Sequence, residues 1–147
     1  MIERDYLMRM VQQLAAVITR VFNLKKQEKY DEARETIREA YGELFGLNRT
    51  LLEALNAESL AQLIRDQEKL KAIARLFQEE ASLYLLQGDE TLAKSKHRRA
   101  FELYLEASSS NGSRDPEIME AIRALAAQID LGDLTERYAV ILKKMGL

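Results

Sequence analysis

The chain has 147 residues, the size of one ordinary domain, and at that length it can bury most of the surface it exposes when unfolded. One proline and six glycines suit long helices and exclude the turn-rich sandwiches and barrels. Twenty-two basic residues against twenty-four acidic ones leave a net charge of −2, with no basic excess for a nucleic acid, and the lack of cysteine excludes disulfides, thiolate zinc sites and cysteine nucleophiles.

The first segment does not read as a secretory leader, because Glu3, Arg4 and Asp5 interrupt it before any apolar stretch. Leu7, Met10, Val11, Leu14, Ile18, Val21 and Phe22 then recur at three- and four-residue steps, an apolar stripe along one helix. After the charged stretch Lys25 to Lys29 a second stripe follows at once, through Ala33, Ile37, Ala40, Tyr41 and Leu44. So short a turn predicts two antiparallel helices, a hairpin over 3–46. Gly46 is placed to end it in the left-handed conformation, with Leu47 folding back.

Thr50-Leu51-Leu52-Glu53 has the pattern of a capping box. Asn56 and Ser59 offer a further start, so 50–66 is expected to hold one or two short helices, separate from or fused with the next. A second hairpin is expected over 67–107. Its stripes are Leu70, Ile73, Ala74, Phe77, Ala81, Tyr84 and Leu85, then Ala93, His97, Ala100, Phe101 and Tyr104, divided by Gly88 and the N-cap Asp89. Residues 108–115 are polar and turn-rich, a linker. Asp115-Pro116 restarts a helix and opens a C-terminal hairpin over 116–146, broken at Leu131-Gly132-Asp133. No apolar run approaches the ~20 residues of a membrane span, so a cytoplasmic protein without a membrane partner is expected.

The segment Phe77 to Ala100 resembles a tetratricopeptide repeat. Phe77, Ala81, Tyr84 and Gly88 stand at its bulky, small, aromatic and turn-glycine places, and Ala93 and Ala100 are the two small residues of its second helix. Small residues let helices cross closely, and the aromatic fills the gap beside them. His97 stands where an aromatic is usual, and no proline follows. The first hairpin is a weaker copy, with Ala33 and Ala40 again seven apart, Glu28 in place of the glycine and Val21 at the small position. Ala33 and Ala93 lie 60 residues apart, against the ~34 of a tandem array, which makes 50–66 an insertion. The whole chain is similar to small bacterial proteins carrying this signature.

The resemblance implies an all-α fold: antiparallel helical hairpins in a right-handed, tetratricopeptide-like array with an inserted pair of short helices. It also implies a non-catalytic scaffold that binds another protein or peptide on a concave face lined by first helices. The positions beside the packed stripe would be Arg75, Gln78, Ser82 and Leu85 in the clearer unit, and Ile18, Phe22, Lys25 and Lys26 in the first. The apolar first and last helices leave room for a homodimer.

Other chemistry is thin. His97, the single histidine, would serve a phosphotransfer protein or a general base, but Arg98-Arg99-Ala100-Phe101 follows it where such domains carry a Lys-Gly pair. Its bland reading is a half-buried helix residue. A di-metal carboxylate site needs Glu-x-x-His on two helices, which one histidine preceded by Lys94 cannot supply, and no cofactor or metal is expected. The basic run Lys94 to Arg99 would contact phosphate or nucleic acid, though such runs are usually solvated helix faces. The acidic pairs Asp31-Glu32 and Glu79-Glu80 read as solvated faces too.

Overall fold

The computed structural model describes residues 2–109 and 115–146. Among them the protein is all helical: α1 (Ile2–Lys26), α2 (Tyr30–Phe45), α3 (Arg49–Ala54), α4 (Ala57–Ile64), α5 (Gln67–Leu86), α6 (Glu90–Ser109), α7 (Pro116–Ala126) and α8 (Glu136–Lys144), with one 3-10 turn at Leu131–Asp133. No helix among the described residues is long and apolar enough to cross a membrane.

α1 packs on α2 and α5 on α6, each pair joined by three residues that reverse the chain. The two turns match bond for bond at an offset of 60 residues. Lys29 N donates to Leu24 O at 2.9 Å, as Asp89 N does to Tyr84 O at 2.9 Å. Glu28 N reaches Lys25 O at 3.0 Å, as Gly88 N reaches Leu85 O at 3.1 Å. Burial follows the same offset: Val21 and Ala81, Ala33 and Ala93, Ile37 and His97, Ala40 and Ala100, Tyr41 and Phe101, and Leu44 and Tyr104 are all buried.

The helix ends follow from local chemistry. Gly46 is left-handed (φ 67°), its N–H bonds Gly42 O at 2.9 Å, and Leu47 N bonds Tyr41 O at 3.0 Å, which brings Leu47 into the core. Asp66, Asp89 and Asp115 each accept a backbone N–H from the first turn of the helix that follows. Asp66 therefore separates α4 from α5, and 50–66 holds two short helices.

Two boundaries differ from the expectation. Thr50 does not cap α3. Asn48 is extended and accepts from Leu51 N at 2.9 Å, so the helix starts at Arg49, and Glu53 bonds Arg49 at 2.9 Å instead of closing a capping box. The first two residues of the linker expected over 108–115 are helical: Ser108 and Ser109 stay in α6 with their hydroxyls donating to Leu105 O and Glu106 O. Residues 110–114 lie outside the described residues.

The inserted helices lie against the second hairpin. α4 buries Ala57 and Leu60 toward α6, and Arg99 of α6 donates to Leu55 O at 2.7 Å and Leu52 O at 3.3 Å, covering carbonyls at the end of α3. α7 and α8 pack chiefly on α6. α8 is held by Glu106, only 4% exposed, which accepts two bonds of 2.8 Å from Arg137 and one of 2.8 Å from the Tyr138 hydroxyl. A buried carboxylate is tolerated when it is paired in this two-pronged way and its remaining lone pairs are filled.

Glu28 takes φ 59° where the second hairpin has Gly88 at φ 82°. A side chain in that region costs roughly 1 kcal/mol. Glu28→Gly is therefore expected to stabilise the protein by about 0.5–1 kcal/mol and Gly88→Ala to destabilise it by about 1 kcal/mol, although open space surrounds Gly88. Urea unfolding of both variants checks this; equal and opposite effects require that the turns respond to backbone strain alone.

A candidate interaction groove on the first helices

Helices α1, α5 and α7 line a groove of about 490 Å³. α5 is its floor, with Lys71, Ala72, Arg75 and Gln78 facing it, and Tyr104 of α6 closes the base. The α1 wall is apolar: Met10, Val11 and Leu14. The α7 wall carries Glu117 and Glu120 beside Ala121 and Ala124. Val11 belongs to the apolar stripe of α1, yet it is 50% exposed. A stripe that wide exceeds what α2 and α5 cover, and its edge is left to the groove.

Charge in the groove is locally organised. Lys71 Nζ lies 2.9 Å from Asp115, 3.4 Å from Glu117 and 3.6 Å from Glu68. Burial opposes its charge, but the bond to Asp115 and the three neighbouring carboxylates outweigh burial and hold its pKa up. Arg75 Nε bonds Glu79 at 3.1 Å. The Tyr104 hydroxyl donates to Gln78 Oε1 at 3.0 Å, and burial pushes the phenol's pKa well up.

Of the eight residues expected to meet a partner, Arg75 and Gln78 line this groove. The other six occupy the far end of the α1 and α5 seam. There Lys25 donates to Ser82 Oγ at 3.0 Å and lies 3.9 Å from Glu79. Ile18 is half-buried and packs on the core, Lys26 sits 4.6 Å over the Phe22 ring, and Phe22 and Leu85 are 53% and 49% exposed. The groove residues Val11, Lys71, Glu117 and Glu120 were not legible beforehand. One signal did exist: Lys71 and Glu68 stand one and two turns before Arg75 on the same face of α5.

The basic run is not a solvated face. Lys96 sits 3.7 Å from Glu80 and 5.1 Å over Phe77, Arg98 reaches Glu102 at 3.6 Å and the Asp133 carbonyl, and Arg99 covers the carbonyls of α3. Their partners lie on α5, on α6 itself, in the 3-10 turn and at the end of α3, so these three cations act as tethers. The pair Glu79-Glu80 is likewise not solvated. Both side chains are mostly buried, and Glu80 accepts from the buried Tyr41 hydroxyl at 2.6 Å. His97 is 8% exposed, and burial lowers its pKa. It fills on α6 the place that Ile37 fills on α2.

No protein-family model, curated protein or solved structure matches this chain.

A buried neutral imidazole binds its proton less readily than the unfolded chain does, so the stability it supports is intact above about pH 6.5 and is lost as pH falls through that range. His97→Ile is expected to keep or raise stability at pH 7 and to flatten this acid-side loss. Urea midpoints at pH 7 and pH 5 check it; an unchanged slope between them would remove His97 as its source.

Proposed function

We propose that the protein is a non-catalytic interaction module: a tetratricopeptide-like, right-handed helical array that receives a segment of another protein between α1, α5 and α7. The observation that carries this reading is the groove itself. It brings together the first helices of the two packed hairpins and α7, and sets an apolar wall, with half-exposed Val11, opposite a charged one. A trough of that form suits a peptide that buries apolar anchors on one side and satisfies polar groups on the other. The distribution of tethers supports the same reading. The cations of the Lys94–Arg99 run other than Lys94 are committed to holding elements together, and His97 is withdrawn from solvent.

The test is capture from a lysate of the source cells with four baits: wild type, Arg75→Ala/Gln78→Ala, Ala124→Trp and Val140→Ser. Ala124 is an exposed groove residue, and Val140 is an exposed residue of α8 outside the groove lining. A partner held by wild type and Val140→Ser, weakened at least tenfold by the double variant and lost with Ala124→Trp, is the expected result. A partner held equally by all four baits would move the interface off the groove.

A further inference from the structure

The groove's chemistry narrows the class of its occupant, on the reading that it is a binding site at all. Its polar side is acidic in excess. Glu68, Glu79, Asp115, Glu117 and Glu120 line it or bond to residues that do, against Lys71 and Arg75. Lys71 has three carboxylates within 3.6 Å, Glu117 among them, and Arg75 gives its Nε to Glu79. Carboxylates outnumber the cations, so the wall favours an incoming cation over an incoming anion.

The spacing adds to this. Glu117 and Glu120 stand three apart on α7 and are both exposed, so their carboxylates sit one turn apart along one wall. That is the repeat at which a helix presents lysine or arginine at i and i+3 or i+4. Across the groove, Val11 and Leu14 are also three apart and offer an apolar rail, continued toward the start of α1 by exposed Met8. The small side chains Ala72, Ala121 and Ala124 keep the space between rail and carboxylates open.

We infer that the groove docks a basic amphipathic helix of a partner protein, its apolar face on Val11 and Leu14 of α1 and its lysine or arginine side chains on Glu117 and Glu120 of α7. The acidic wall selects the sign of the ligand's charge, and the apolar rail its register. Selection by charge is an ionic-strength-dependent property, so the preference weakens with salt, while the apolar contact does not.

The experiment uses two fluorescent helical peptides with the same leucine face, one with lysines on its polar face and one with glutamates, titrated with the full chain and followed by anisotropy at low and high salt. Wild type is expected to bind the lysine peptide about tenfold tighter than the glutamate peptide, the effect of two or three partly exposed charge pairs. Glu117→Lys/Glu120→Lys should reverse that preference, and Ala124→Trp should abolish binding of either peptide. Helical circular dichroism confirms that these exposed-site variants stay folded. Equal or tighter binding of the glutamate peptide, still blocked by Ala124→Trp, would overturn the charge assignment and leave the groove reading standing. Lysine-peptide binding indifferent to Ala124→Trp would be surface adsorption and would overturn the inference. Failure of both peptides to bind would overturn it as well; the lysate capture then decides the groove reading separately.

Discussion

The close crossing of α5 and α6 is the constraint on which the rest of the structure depends. Ala74 and Ala81 on one helix and Ala93 and Ala100 on the other are fully or almost fully buried. With only methyl groups between them the two backbones approach closely, and Phe77, Phe101 and Tyr104 fill the space beside the crossing. α1, α2 and α4 lean on α5; α4, α7 and α8 lean on α6; and α3 is held from α6 by Arg99. A larger side chain at Ala81 or Ala100 would push the seam apart and shift several packing surfaces together, whereas a change on α8 touches one.

The two hairpins solve one geometric problem twice with different residues. The reversal needs a residue with positive φ in the same place, and glycine supplies it in the second hairpin while Glu28 adopts it under strain in the first. The buried position on the second helix is Ile37 in one and His97 in the other. Backbone geometry is thus repeated more faithfully than side-chain identity, because hydrogen bonds in a tight turn admit few arrangements and a core site admits any side chain of suitable volume and satisfied polarity. The insertion between the hairpins does not disturb this. It adds surface to the second hairpin and engages Arg99 of α6.

Ionic groups on α5 and α6 serve mainly to join elements: Glu106 secures α8, Glu80 receives Tyr41 and Lys96, and Lys71 bridges α5 to the start of α7. In the groove, by contrast, an uncovered apolar edge of α1 faces exposed carboxylates of α7.

The helices, most of their ends and most of the core were legible in the amino-acid sequence, for a local reason. Apolar periodicity, the aspartate caps at 66, 89 and 115 and the left-handed glycines at 46 and 88 act within a turn or two of chain. The 60-residue spacing of Ala33 and Ala93 likewise announced both the internal copy and the insertion. At the start of α3 the cap is Asn48, which the Thr50–Glu53 pattern did not point to. Of the residues that line the groove, Arg75 and Gln78 are expected from the sequence to face a partner, while Val11 is assigned to the apolar stripe, Glu117 reads only as an acid in the first turn of its helix, and Glu120 draws no notice. Only tertiary structure placed those three around one groove. Exposure at the edge of an apolar stripe, and the meeting of residues a hundred positions apart, depend on which helices pack together and leave no mark on any one of them alone.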